Sequence, residues 1–155
     1  MSVRAVPAGY HTVTPYLIVR NGAQALDFYR RALGAEVKMR LDMPDGKIGH
    51  AEIQIGDSRI MLADEFPEMG AVGPETIGAT PVSLMVYVPD VDAFAATAVA
   101  EGMKIVRPLE NRFYGDRSGQ FVDPFGHVWT LSTHKEDVPD EEVKRRAAAM
   151  AQQQQ

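Results

Sequence analysis

Residues 115–129, GDRSGQFVDPFGHVW, contain the turn that decides the fold. The tetrapeptide DPFG, residues 123–126, has Asp, Pro and Gly at the first, second and fourth positions, as a type I turn prefers. The strand-like run HVWTLST follows it, whereas a phosphate-binding loop would lead directly into a helix. The stretch therefore predicts a β-hairpin, with His127 at the rim of a sheet rather than bound to a ligand.

The elements that lead to this hairpin occur twice along the chain. In each half an apolar strand precedes a helix that ends at a glycine, and further strands follow. Three pairs of matching positions lie 68 to 70 residues apart: Val19 and Val88, Gly34 and Gly102, and Gly56 and Gly126. This spacing indicates a duplicated βαβββ unit.

The duplication divides a single domain into two modules, at about residues 12–66 and 81–135. The segment between them, residues 67–80, is rich in Gly and Pro and predicts a linker or a mobile loop over a site. The tail predicts a further helix over about residues 138–151, with acidic side chains at the positive end of its dipole. The expected fold class is α+β.

Composition excludes several classes of protein. The 155 residues include no cysteine, which removes disulfides, thiolate zinc sites and a cysteine nucleophile. The net charge of −5 and the scattered basic residues argue against nucleic-acid binding. No apolar run approaches the roughly 20 residues of a membrane span, and the first residues, MSVRAVPAGYHTV, lack the long apolar stretch of a secretory signal. We expect a cytoplasmic protein that binds neither nucleic acid nor membrane.

The motifs resemble those of a known superfamily. The duplicated pattern, the helix ALDFYRRALG at residues 25–34 and the hairpin DPFGHVW at residues 123–129 resemble the vicinal oxygen chelate superfamily, which includes glyoxalase I, extradiol dioxygenases and bleomycin resistance proteins. Residues 50–64, HAEIQIGDSRIMLAD, are most similar to its PhnB-like branch. The resemblance covers about residues 12–135. It implies the glyoxalase/bleomycin resistance fold, in which two βαβββ modules form curled mixed sheets around a cup, here with a C-terminal helix added.

The resemblance also locates a possible metal site. Metal-dependent members hold their ion with four His and Glu side chains on the first and last strands of the cup. The corresponding positions are Thr14, Ser83 and Thr130, with Glu52 as the fourth. Because hydroxyls are poor ligands for divalent transition metals, we expect no metal and no other cofactor. If a divalent metal does bind, Glu52 is its expected ligand, and an alignment shifted by two residues would add His50.

Strand alternation gives the expected wall of the cup. It places aromatic, hydroxyl and ionisable side chains on the face that the superfamily uses for its ligands. The predicted ligand-binding residues are Thr14, Tyr16, His50, Glu52, Ser83, Met85, Tyr87 and Thr130, together with Arg117, which follows the aromatic residues Phe113 and Tyr114. Such a wall suits a small organic ligand, although the same residues would also simply fill the cup.

Two functions remain open. The preferred one is metal-independent binding of a small organic molecule by a homodimer, since cups in this superfamily are commonly completed across a subunit interface. The alternative is a metal-dependent glyoxalase-like lyase or isomerase that stabilises an enediolate. In an enzyme Glu52 would be the catalytic residue, as metal ligand or general base, and otherwise it would accept hydrogen bonds from an arginine such as Arg117.

Overall fold

The computed structural model describes residues 2–154 and has the element order that the sequence predicts. The first module contains β1 (Tyr16–Val19), α1 (Gly22–Leu33), β2 (Glu36–Asp42), β3 (Ile48–Ile55) and β4 (Ser58–Asp64). A short helix, α2 (Pro74–Ile77), lies between the modules. The second module contains β5 (Ser83–Tyr87), α3 (Val91–Glu101), β6 (Lys104–Asn111), β7 (Asp116–Val122) and β8 (Val128–His134). The chain ends with α4 (Asp140–Gln153).

Each module forms its own four-stranded mixed sheet. The strand order is β1-β4-β3-β2 in the first sheet and β5-β8-β7-β6 in the second. The first strand of each module pairs in parallel with the last, and the other neighbours are antiparallel. Tyr16 pairs with Met61, and Met85 pairs with Thr130, so both residues of the second pair lie 69 positions after their counterparts. The predicted α+β fold of two βαβββ modules with a C-terminal helix is confirmed.

Local side-chain chemistry sets the ends of the helices. Asn21 caps α1, because its side-chain oxygen accepts a hydrogen bond from the backbone N–H of Gln24 at 3.2 Å. Gly34 ends the same helix at φ +66°, in the left-handed region that favours glycine. Asp90 caps α3 in the same way, 3.1 Å from the backbone nitrogen of Ala93. These caps begin each helix a few residues after β1 or β5.

The two modules share one hydrophobic core, in which α1 packs against α3. On β1 the side chains of Leu17 and Val19 face this core, whereas Tyr16 is 47% exposed. Trp129 of β8 is fully buried, with its ring centroid 5.5 Å from that of Tyr29 in α1. One face of each sheet therefore belongs to the common core, and the opposite face is open.

A buried carboxylate joins the modules at the turn before β8. One oxygen of Asp123 accepts hydrogen bonds from the hydroxyl of Tyr29 at 2.5 Å and the indole N–H of Trp129 at 2.9 Å. The other accepts the backbone N–H groups of Phe125 at 2.8 Å and His127 at 3.0 Å. Burial, and then the nearby Asp123 carboxylate, raise the pKa of Tyr29 well above its usual value. The turn thus anchors the second module to the helix of the first.

Three element boundaries differ from those expected. Strand β1 begins at Tyr16, so Thr14 precedes it, and Pro15 has no N–H to donate to the ladder. The segment 67–80 is partly ordered as a 3₁₀ turn, Pro67–Met69, and as α2, which lies against β1. Helix α4 begins at Asp140, after Pro139, rather than at residue 138.

Arg146 links helix α4 to the second module. Arg146 donates to the carboxylate of Glu136 at 3.0 Å and to the backbone oxygen of Phe113 at 3.0 Å. Both Glu136 and Glu142 raise the pKa of its guanidinium, which stays charged. Across residues 2–154, the helices are all too short or too polar to cross a bilayer.

Candidate functional site

Four side chains form a connected hydrogen-bonded cluster on the open face of the first sheet. The hydroxyl of Tyr16 lies 2.8 Å from Nδ1 of His50, and Nε2 of His50 lies 3.1 Å from Oε2 of Glu52. The hydroxyl of Tyr10 donates to Oε1 of the same carboxylate. His50 and Glu52 are two residues apart on β3, so the strand period of two places both on one face. We call Tyr10, Tyr16, His50 and Glu52 the Tyr-His-Glu cluster.

The cluster is partly shielded from solvent. The side chains of His50 and Glu52 are 24% and 19% exposed. Burial raises the pKa of Tyr16 above its usual value. The guanidinium of Arg59 lies 5.3 Å from the ring centroid of Tyr10, while its Nε donates to Gln54 at 2.7 Å. Arg59 therefore supports the outer end of the cluster.

An open cavity of about 680 Å³ adjoins the cluster through Tyr16. Its lining is predominantly apolar, with Ile18 on β1, Leu41 and Met43 on and after β2, and Phe66 after β4. Asp45, Lys47, Asp64 and Glu65 also line it. The carboxylate of Asp64 already accepts two backbone N–H groups, those of Gly22 and Ile48. The cavity thus combines a largely apolar wall with a few charged groups, and Tyr16 belongs to both the cavity lining and the cluster.

Other residues predicted for the cup lie elsewhere. Thr14, Met85 and Tyr87 line a second cavity, of about 530 Å³, between the N-terminal segment, the β3–β4 turn and β5. The expectation that Tyr87 shares one pocket with Tyr16, His50 and Glu52 is therefore wrong for a single chain. The physical reason is that β1 and β5 are edge strands of two separate sheets, so alternation within one strand does not fix its position relative to the other.

Tyr87 belongs to a second polar network, which the sequence did not reveal. Its hydroxyl donates to Asp116 at 2.9 Å, and Asp116 also lies 2.7 Å from Nδ1 of His134. The hydrogen bond with Asp116, followed by that with Asp137, raises the pKa of His134. Asp116 in β7 and His134 in β8 are cross-strand partners. The sequence alone could not predict this contact, because it does not give the register between the two strands.

The remaining predicted residues are dispersed over the second module. Arg117 forms a bidentate ion pair with Asp92 at the start of α3, in which Nε and Nη2 each donate to one carboxylate oxygen at 2.9 Å. It shares a strand face with the buried Phe121 and points away from the open face, so its expected ligand role is not supported. Thr130 lines a polar depression with Gln120. Ser83 lies exposed at the start of β5.

The side chains present do not fit the metal site of metal-dependent relatives. In the first module Tyr16 pairs with Met61, and in the second Met85 pairs with Thr130. The residue of the first module that corresponds to Thr130 is therefore Met61, on the last strand of that module. Glu52 instead lies on β3, so its assignment as the fourth position was wrong. Hydroxyls and a thioether are weak donors for a hard or borderline divalent cation. Among residues 2–154, no three His, Asp or Glu side chains converge closely enough to hold an ion.

The comparisons with known proteins agree with this architecture. The model of the Glyoxalase/Bleomycin resistance protein/Dioxygenase superfamily matches residues 10–131. The Mycobacterium bovis protein Mb0911c is 37% identical over 156 residues, covering 99% of this chain and 98% of that protein. The crystal structure of TioX from Micromonospora sp. ML1 is 27% identical, with a TM-score of 0.65 over 80% of this chain and 98% of TioX.

A further structure shares the fold at lower identity. The PhnB protein from Bacillus cereus is 19% identical, with a TM-score of 0.61 over 79% of this chain and 99% of that one. The matched family model covers both modules, including the β1 and β3 residues of the Tyr-His-Glu cluster and the DPFG turn. As its motifs predict, the chain belongs to the glyoxalase/bleomycin resistance protein/dioxygenase superfamily.

Proposed function

We propose that this protein binds a small, largely apolar organic molecule without a metal ion. The observation that carries the proposal is the cavity of about 680 Å³ beside the Tyr-His-Glu cluster. Its volume lies in the range of small-molecule sites, and a largely apolar lining with a few polar groups is typical of them. The apolar walls would bind the body of the ligand, and the hydroxyl of Tyr16 would orient its polar group.

A glyoxalase-like lyase is the weaker alternative. Stabilising an enediolate in such an enzyme requires a divalent metal at the cup positions. Here those positions hold Thr14, Ser83, Thr130 and Met61, none of which is an anionic or imidazole donor. This donor set favours binding of the ligand itself over metal-assisted chemistry.

A direct test uses a panel of one-ring and two-ring aromatic compounds, with EDTA present. Saturation-transfer NMR should detect bound members, and Phe66→Ala should weaken them about tenfold, because partial burial of a phenyl ring contributes about 1.5 kcal/mol. Ile77→Ala is the matched control, since Ile77 is also an exposed apolar side chain after β4 but does not line this cavity. Failure of the whole panel to bind would contradict the proposed function.

We expect purified protein to carry well under one equivalent of zinc, nickel, manganese or iron. Added metal should leave the melting temperature unchanged, because only an ion that binds the native state stabilises it. Elemental analysis and thermal melts with and without metal provide the measurement. About one metal per chain, lost on Glu52→Ala, would contradict metal-independent binding and restore the lyase.

The proposal includes a homodimer. The open sheet faces leave large apolar side chains half exposed: Tyr16, Met39, Leu41, Met85 and Tyr87. Apolar surface concentrated on a sheet face is characteristic of an interface, and a second copy of the chain would cover it. Light scattering should give a mass near 34 kDa, twice the 17.0 kDa of one chain. A monomer at micromolar concentration would contradict the dimer.

A further inference from the structure

The hydrogen bonds of the Tyr-His-Glu cluster have a defined direction. An ionised Glu52 can only accept, so Nε2 of His50 carries a hydrogen and donates to it. In a neutral imidazole Nδ1 is then the acceptor, and the hydroxyl of Tyr16 must donate to it. The lone pairs of the Tyr16 oxygen remain free to accept a hydrogen bond from outside the cluster.

The negative charge of Glu52 is held by hydrogen bonds rather than by a cation. Its acceptor sites take the hydroxyl of Tyr10 and Nε2 of His50. Among the ion pairs of the described residues, Glu52 is joined to His50 and to neither a lysine nor an arginine. The guanidinium of Arg59, which lies over the ring of Tyr10, donates its Nε to Gln54. Glu52 therefore ends a chain of hydrogen bonds that runs from Tyr16 through His50.

We propose that Tyr16, His50 and Glu52 form a metal-free proton relay that ionises the hydroxyl of a phenol or enol bound in the first-sheet cavity. The inference rests on the proposed binding function and assigns its ligand class. The cavity wall formed by Ile18 and Phe66 suits a flat apolar body, and Tyr16 is the member of the cluster that lines the cavity. A weakly acidic hydroxyl is the group that such a donor and acceptor chain can deprotonate.

Three proton transfers make up the step. The ligand O–H gives its proton to the Tyr16 oxygen, the phenolic proton of Tyr16 moves to Nδ1 of His50, and the Nε2 proton of His50 moves to Glu52. Three bonds to hydrogen break and three form, with no change of oxidation state. The negative charge passes from Glu52 to the ligand oxygen, to which the hydroxyl of Tyr16 then donates a strong hydrogen bond.

The test uses 4-nitrophenol, whose phenolate absorbs at longer wavelength than the neutral phenol. At a pH below the pKa of the free probe, the wild-type protein should bind it and increase the phenolate band. Glu52→Gln and His50→Gln should still bind the probe, but the bound phenolate fraction should fall about tenfold or more. Tyr16→Phe should have the same effect, whereas Tyr114→Phe, which changes a partly exposed tyrosine of the second module that does not line the cavity, should leave the band unchanged.

The possible outcomes separate the relay from the binding function. Bound probe that stays neutral in the wild type, or stays ionised in Glu52→Gln, overturns the relay and leaves the binding function in place. Binding of the aromatic panel without binding of 4-nitrophenol overturns the assigned ligand class. Circular dichroism and melting temperatures of the variants establish that each is folded before its spectrum is interpreted.

Discussion

Replacing Asp123 by alanine should cost about 4 kcal/mol of folding free energy. The substitution removes the acceptor for two buried side-chain donors, the hydroxyl of Tyr29 and the indole N–H of Trp129. It also leaves the backbone N–H groups of Phe125 and His127 without their partner in the turn. Each buried donor left unsatisfied costs about 1–3 kcal/mol. Urea unfolding followed by circular dichroism measures the loss.

The matched control for Asp123 lies in the corresponding hairpin of the first module. Asp57 is exposed in the turn between β3 and β4, where its carboxylate accepts only from the neighbouring Ser58. Asp57→Ala should change the free energy of unfolding by less than about 0.5 kcal/mol. Equal losses in the two variants would show that the turn geometry, and not the buried network, accounts for the effect.

Gly115→Ala should destabilise the protein by about 3 kcal/mol or more, through two effects that add. Gly115 has φ +104°, a conformation that L side chains rarely adopt. A Cβ there would also overlap the backbone oxygen of Glu136. The segments around residues 115 and 136 cannot easily separate, because the backbone oxygen of Gly115 accepts hydrogen bonds from the N–H groups of both Lys135 and Glu136. Chemical denaturation gives the loss, with thermal melts as a second measure.

A second glycine separates strain from overlap. Gly46, in the turn between β2 and β3, has φ +86°, but an added Cβ would meet no atom within 4 Å. Gly46→Ala should therefore cost only the backbone strain, about 1 kcal/mol. If Gly46→Ala is as damaging as Gly115→Ala, contact with residue 136 is not the source of the larger effect.

Features encoded by neighbouring residues could be predicted from the sequence. Asn21, Gly34 and the DPFG turn act through their own backbone or that of residues a few positions away. His50 and Glu52 could be placed together because the period of a strand is two. The duplication was visible because the two modules preserve the spacing of their glycines. Each of these patterns can be recognised without knowing how the two modules pack against each other.

Features that depend on how distant segments of the chain pack together could not be predicted from the sequence. Tyr10 reaches Glu52 from a segment without periodicity, so no pattern indicated its role. Arg117 follows two aromatic residues in the chain, but the pleat of β7 turns it toward Asp92 of α3. The link between Tyr29 and Asp123 joins residues 94 positions apart, and nothing local to either one specifies the other.

The position of the only tryptophan has a spectroscopic consequence. Trp129 is fully buried where the modules meet, with its indole N–H bonded to Asp123 and its ring beside Tyr29 of the other module. Its fluorescence therefore reports on the junction, free of signal from any other indole. Separation of two otherwise intact modules would shift the emission to longer wavelength and reduce energy transfer from Tyr29, while the far-ultraviolet spectrum of the backbone stayed constant. Refolding followed in both signals would time the docking of the modules independently of the formation of their strands and helices.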